Sequence, residues 1–255
     1  AGFIGFGIAK YLLSTSNVKI IGIDNFNNYY SKKLKKDRIK ELSKYKKFSF
    51  FNTNILNKRK LEKIFKVKKI NLIINLAAQA GVRYSLEKPN EFVDNNIQGF
   101  YNLIDVAKKY RIKRIIYASS SSIYGDSKKF PLNETQKVKP KNIYALSKKI
   151  NEEMAEVFSK QYSISFIGLR FFTVYGEWGR PDMAPMIFTK AILSRKPIKI
   201  FNYGNMYRDF TYIDDVIEAI TRLIDKPATS DENFNYENPQ PDSSWAPHRI
   251  FNIGN

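Results

Sequence analysis

Tyr144 and Lys148 stand four residues apart in "NIYALSKKINEEMAE", a spacing that puts both on one face of a helix. There an ammonium can lower the pKa of a phenol, ordinarily about 10, toward working pH. Such a pair removes and returns protons. The spacing alone does not select it: a lysine-rich chain with 16 Tyr gives about two such pairs by chance, and four are present. Of the others, Tyr29/Lys33 and Tyr84/Lys88 fall in expected loops, and Tyr124/Lys128 runs into Gly125, a turn. Tyr144 differs in its context. Upstream, "ASSSSIYGD" sets the hydroxyls of Ser119 to Ser122 at the end of an apolar strand pattern. A Ser run is commonly a plain loop. At the carboxyl end of a strand in a doubly wound sheet, however, it faces the ligand crevice, where Ser120 can hydrogen-bond the same substrate oxygen as Tyr144.

The rest of the composition narrows the chemistry. The 255 residues include no Cys and one His, His248. That excludes a disulfide framework, a thiolate zinc site, a cysteine nucleophile and any mechanism needing two imidazoles, and no metal is expected. The 43% apolar content suits one large or two small domains. No apolar run approaches the roughly 18 residues of a membrane span. The start "AGFIGFGIAKYLL" lacks the basic flank and cleavage site of a signal peptide, so a cytoplasmic location is expected. The net charge of +19 is mostly lysine, much of it in "YSKKLKKDRIKELSKYKKF", which reads as a solvated amphipathic helix without interleaved aromatics. No nucleic-acid partner is expected, only a mild attraction for anionic nucleotides.

The elements that must position Tyr144 follow from period. Apolar runs "VKIIGID" (18–24), "INLIINLAA" (70–78), "KRIIYASS" (113–120) and "SFIGLRFF" (165–172) have strand length. Helical patterns at 5–13, 30–48, 58–65, 93–110 and 144–161 alternate with them. This alternation predicts an α/β protein with a Rossmann-like, doubly wound parallel sheet. Residues 1–172 are expected to form the dinucleotide-binding domain. Residues 173–255, opening near "YGEWGRPDMAP", are expected to form a smaller C-terminal substrate-binding part.

Gly2 and Gly5, three apart at a helix start, are half of a phosphate-binding fingerprint, in which glycine lets a pyrophosphate reach the helix N-terminus. Taken alone, the pair is better explained by a tight turn. Asp24 ends an apolar run 19 residues after Gly5, close to the roughly 20-residue offset at which an acid bonds ribose hydroxyls. An acid there repels a 2′-phosphate, so NAD is expected rather than NADP.

The motifs "AGFIG", "GIDNFNNYY", "NLAAQAGVRYSLEKP", "NNIQGFYNLI", "YASSSSIYGD", "YALSKK", "LRFFTVYGEWGRPDMA", "YRDFTYIDDV" and "SSWAPHRIFNIGN" together resemble the extended short-chain dehydrogenase/reductase family. Within it the likeness is to nucleotide-sugar epimerases, and most to UDP-glucuronate 4-epimerases. The resemblance implies that Gly2, Phe3, Ile4 and Gly5 hold the NAD pyrophosphate and that Asp24, Asn25, Asn27 and Asn28 hold the adenosine ribose. Asn54, Ile55, Leu76, Ala77, Ala78, Gln79, Asn95, Ser119 and Phe172 would line the cofactor. Tyr144, Lys148, Ser120 and Ser121 would be catalytic, with Lys148 also on the nicotinamide ribose. Arg83, Ser120, Ser121, Thr173, Arg180, Ile200, Phe201, Asn202, Arg208 and Arg249 would bind the UDP-sugar. Of these, Arg208 and Arg249 would clamp the diphosphate, and Arg180 would meet a uronate carboxylate. The implied reaction is 4-epimerisation of UDP-glucuronate to UDP-galacturonate through a 4-keto intermediate, in a homodimer. An epimerase of neutral UDP-sugars (UDP-glucose or UDP-N-acetylglucosamine) and a non-catalytic dinucleotide-binding relative are the alternatives.

The sequence departs from the family pattern at Asn54, where an Asp usually bonds the adenine amine, at Asn75 in place of His, and at Glu177 in place of Pro. Family members also extend beyond both ends of this chain, which lacks their first strand and C-terminal helices. A chain of only this length is therefore expected to bind NAD poorly.

Overall fold

The structure, a computed structural model, describes residues 1–200, 202–205, 208–240 and 243–255. It divides into two compact units: residues 1–52, 173–221 and 254–255 form the first, and residues 53–172 and 222–253 the second. In chain order the elements are α1 (Phe3–Thr15), β1 (Ile20–Asp24), α2 (Lys32–Leu42), β2 (Phe48–Asn52), α3 (Lys58–Val67), β3 (Ile73–Asn75), α4 (Val82–Glu87), α5 (Pro89–Phe92), a π-helical turn (Val93–Gln98) and α6 (Gly99–Lys109). Then follow β4 (Arg114–Ser120), a 3₁₀ turn (Ser121–Tyr124), α7 (Ile143–Tyr162), β5 (Ser165–Phe171), β6 (Thr173–Tyr175), α8 (Ala184–Leu193), β7 (Phe210–Tyr212), α9 (Ile213–Ile224) and β8 (His248–Ile253). The alternation makes a Rossmann-like α/β fold in which every strand pairing is parallel.

In the first unit β1 pairs with β2, Ile20 opposite Phe48 through Asp24 opposite Asn52, and β6 pairs with β7. β2 was not expected, because residues 30–48 read as one lysine-rich helix. That helix stops at Leu42, and over "FSFFN" the apolar period shortens from about 3.6 to 2, the strand repeat. Phe6, Ala9, Leu13 and Leu42 form the core here, with Trp178 and Phe48 packed on it. Ser31 caps α2 by accepting from the Leu34 N–H at 3.3 Å.

In the second unit β3, β4, β5 and β8 form a four-stranded sheet in that order. β5 is buried along nearly its whole length, as expected of a strand covered on both faces. The run at 70–78 contributes only Ile73–Asn75 as strand, and residues 76–79 leave the sheet. The expected helix at 93–110 begins as a π turn and becomes α-helical at Gly99. A Cβ on Gly99 would lie 2.7 Å from the Ile55 side chain, so the helix comes this near only without one. Asn142 caps α7 by accepting from the Ala145 N–H at 2.9 Å, fixing where Tyr144 enters the helix.

Candidate active site

The expected catalytic residues of the second unit lie where β4 ends and α7 begins. Tyr144 and Lys148 are one turn apart at the start of α7. The Lys148 ammonium is buried and donates to the Ala118 carbonyl of β4 at 2.9 Å. Burial pulls its pKa down to about 8, opposed by the charge of Glu152 one turn further on. Tyr144 packs edge-on against Phe92, ring centroids 6.0 Å apart. The serine run turns sharply. Ser120 Oγ accepts from the Ser122 N–H at 3.2 Å, and the 3₁₀ turn closes on Gly125 at φ 62, where a Cβ would lie 2.2 Å from the Lys139 carbonyl. Ser119 points elsewhere: its hydroxyl donates to Glu152 at 2.6 Å.

Beneath these groups lies a buried polar network. Arg170 of β5 meets Glu152 through two hydrogen bonds of 2.9 Å and continues to the Tyr124 hydroxyl at 2.8 Å. Tyr124 donates to Asn252 of β8 at 2.8 Å. The network ties α7 to three strands just behind Lys148. His248, the single histidine, is a core residue in contact with the Tyr117 hydroxyl at 2.8 Å. Burial first, then nearby Arg249 and Arg170, pull its pKa down to about 3, which keeps it neutral.

Sequence reasoning missed three residues beside this site. Asn96 donates to the Gln79 carbonyl and the Ser147 hydroxyl, at 3.0 and 2.9 Å, and accepts from the Gln79 N–H at 2.7 Å. The Asn96 carbonyl, within the π turn, accepts from Asn151 at 2.7 Å. Asn96, Ser147 and Asn151 thus hold the segment ending at Gln79 against α7, one turn from Tyr144 and Lys148. Their signal in the sequence was three small polar residues at helix positions otherwise apolar. Of the expected cofactor residues in this unit, Asn95 donates to the Glu91 carbonyl at 2.8 Å. Asn54 turns its amide oxygen to the Leu56 N–H at 2.9 Å, Ile55 is buried, and the Phe172 N–H bonds the Ile253 carbonyl at 3.1 Å. Leu76 and Ala78 are half-buried and Ala77 is exposed. Of the expected substrate residues, Arg83 is exposed on α4, and Arg249 on β8 donates to the His248 carbonyl at 2.8 Å.

The first unit carries the other expected residues. Gly2 precedes α1, whose start has no side-chain cap and no acidic residue in its first turn. A Cβ on Gly2 would meet nothing within 4 Å. Asp24 ends β1 and accepts from the Phe26 N–H at 2.8 Å. Asn25 and Asn28 are exposed, and Asn27 takes the Lys35 ammonium on its side-chain oxygen at 2.5 Å. Thr173 opens β6 opposite Phe210. Arg180 is held by Asp182 through bonds of 3.1 and 2.5 Å. Asn202 donates to the Asn205 carbonyl at 2.8 Å, Ile200 and Arg208 are exposed, and Phe201 lies outside the described residues.

The "Protein CapI" of Staphylococcus aureus is 46% identical to this chain over 256 residues, which span all of this chain and 76% of that protein. A "Probable UDP-glucuronate 4-epimerase" of Rhizobium meliloti is 40% identical, across all of this chain and 75% of that protein. Among solved structures, the UDP-glucuronic acid 4-epimerase of Bacillus cereus in complex with UDP-glucuronic acid and NAD superposes with a TM-score of 0.85 at 33% identity. The match covers 99% of this chain and 74% of that one. The model of the NAD dependent epimerase/dehydratase family matches residues 1–254, and the chain belongs to that family.

Proposed function

We propose that this protein is an NAD-dependent 4-epimerase of a UDP-sugar, interconverting UDP-glucuronate and UDP-galacturonate. The observation that carries this reading is the Tyr144–Lys148 turn of α7, with its ammonium buried and anchored on β4 beside the serine turn. The B. cereus protein, solved with UDP-glucuronic acid and NAD, supports the substrate class. The residues present fit the cofactor. The uncapped start of α1 offers backbone N–H groups to a pyrophosphate, Gly2 leaves open space above them, and Asp24 offers a carboxylate to ribose hydroxyls.

When bound, NAD supplies a hydride acceptor at C4 that also gives the hydride back, so net redox is zero. Tyr144, as phenolate, takes the 4-hydroxyl proton and, once the ring has turned, returns it to the same C4 oxygen. Lys148, one turn along α7, brings its ammonium to the end of β4, and Ser120 donates to the same sugar oxygen. Arg208 holds the diphosphate, which leaves the 4-keto ring free to turn, and a guanidinium's fork suits phosphate oxygens. For a uronate the keto intermediate is a β-keto acid, prone to lose carbon dioxide. Ser121 and Ser122 put no acid beside it to assist that loss.

The reading includes a cytoplasmic homodimer. Tyr101 of α6 and Val157 of α7 are exposed apolar positions on the helices that would pair, and among the described residues no helix is long and apolar enough to cross a membrane. The test is incubation of the full-length protein with NAD and either UDP-glucuronate or UDP-glucose, with product sugars followed by NMR. Galacturonate should form. No interconversion of the uronate sinks the reading. An epimerase of neutral UDP-sugars is the second reading, favoured by the existing match of Arg180 to Asp182; turnover of UDP-glucose alone would establish it.

A further inference from the structure

We propose that Tyr29, Asp182 and Arg180 form a latch coupling the loop that takes the cofactor's adenosine ribose to the loop at 176–183 that borders the sugar. The proposal rests on the preceding reading for what each loop binds. Tyr29 closes the loop after β1, five residues past Asp24. Its hydroxyl donates to Asp182 Oδ2 at 3.0 Å, across a separation of 153 residues. The same carboxylate takes both bonds from Arg180, whose guanidinium lies 5.7 Å over the Tyr29 ring. One tyrosine therefore orients both members of the pair, one by a hydrogen bond and the other by stacking. Burial first, and the Asp182 carboxylate second, push the Tyr29 phenol up to about 12, so it remains a donor at any physiological pH.

A second tie runs in parallel. Arg38 is fully buried, and it donates to the Ala1 carbonyl beside the phosphate turn and to the Tyr30 hydroxyl, each at 2.9 Å. Its other terminal nitrogen reaches the carbonyls of Trp178 and Gly179. Consecutive tyrosines of the ribose loop are thus joined to residues 178–182. Within itself that loop shows two backbone bonds, Gly179 N–H to the Gly176 carbonyl at 3.1 Å and Met183 N–H to the Arg180 carbonyl at 3.3 Å. Trp178 anchors one end of the loop in the core against Phe6, and beyond it the tyrosine contacts hold residues 180–182. A dinucleotide that fixes residues 24–28 fixes Tyr29, and with it the plane of Arg180. By linkage, a sugar held at Arg180 tightens the dinucleotide by the same factor.

The experiment measures UDP-glucuronate affinity by calorimetry with and without saturating NAD, in full-length protein carrying Tyr144→Phe to prevent turnover. NAD should tighten the sugar nucleotide by about fivefold or more. Tyr29→Phe, which removes one oxygen, should bring the ratio close to one. Asp182→Asn should do the same, and Asp182→Glu should restore part of it. Amide exchange across 176–183 should slow on NAD addition in the parent and not in Tyr29→Phe. A ratio of one in the parent, or a ratio unchanged by Tyr29→Phe, overturns the latch. Separately, an Arg180→Ala variant that binds UDP-glucuronate as tightly as the parent overturns the sugar-side assignment on which the latch rests.

Discussion

Each compact unit holds an arginine gripped by a carboxylate through two hydrogen bonds, and the two pairs do different work. In the second unit, Arg170 and Glu152 have side chains 4% and 2% exposed. Glu152 also takes the Ser119 hydroxyl, and Arg170 continues to Tyr124. In the first unit, Arg180 and Asp182 are 22% and 26% exposed and only two residues apart in sequence. Geometry is nearly the same, so burial decides. A buried pair stripped of one partner leaves an unsolvated charge, whereas a half-exposed pair can admit water or a ligand's carboxylate beside its partner. On the proposed reading, the pair beside the proton-transfer groups is therefore the one that tolerates no loss of charge. On the same reading, the pair that meets the sugar keeps its charge accessible.

Removing the reactive oxygen probes the second unit most severely. Tyr144→Phe should lower turnover of UDP-glucuronate by about a hundredfold or more, the usual range for a positioned acid–base, while nucleotide affinity measured by calorimetry stays close to the parent's. Unchanged turnover would remove Tyr144 from the mechanism and favour a non-catalytic relative. Next in size, Glu152→Gln should destabilise the protein by roughly 3–5 kcal/mol in urea unfolding, because Arg170 remains buried without its counter-charge. A loss below about 1 kcal/mol would mean that the two pairs are energetically alike.

That contrast was only partly legible in the sequence. β1, β3, β4 and β5 announced themselves as short Ile-, Phe- and Val-rich runs, and the Tyr144–Lys148 turn stood out by its place after a serine-rich strand end. β2 was hidden because "FSFFN" follows a lysine run that carries the helical period, and nothing local marks where that period changes. Asn96 was passed over for its neighbour Asn95, since adjacent residues of one type differ only in which helix face they take. The π turn sets that face, and it has no compositional signature. Arg180 and Asp182 were visible as neighbours, but their partnership with Tyr29 is a contact across 153 residues that no window of sequence contains.

Lys148 sharpens the picture of the second unit through pH. Its folded pKa of about 8 lies below the ordinary 10.5. Between those values the unfolded chain binds more protons than the folded one, and the native protein gains stability as pH rises. Lys148→Met has no such proton. Native stability relative to this variant should therefore rise by on the order of 3 kcal/mol from pH 8 to pH 10.5 in parallel urea titrations, and should be flat below pH 8. A flat difference across the whole range would mean that the ammonium is solvated and that burial does not tune it.

The smallest expected effect belongs to the half-exposed pair. Asp182→Asn keeps the side-chain shape but replaces one of two acceptor oxygens with a donor amide, breaking the three-way contact, and deletes the charge. With both partners about a quarter exposed, solvent already screens the attraction, so unfolding free energy should change by less than about 1 kcal/mol. The comparison with Glu152→Gln then becomes a ratio: two amide replacements at two bidentate arginines, differing by several-fold in stability. If Asp182→Asn instead destabilised as much as Glu152→Gln, the loop at 176–183 would be as rigid as the sheet behind Lys148. Arg180 could then not admit a sugar carboxylate beside Asp182, and the second reading, a neutral-sugar epimerase, would gain.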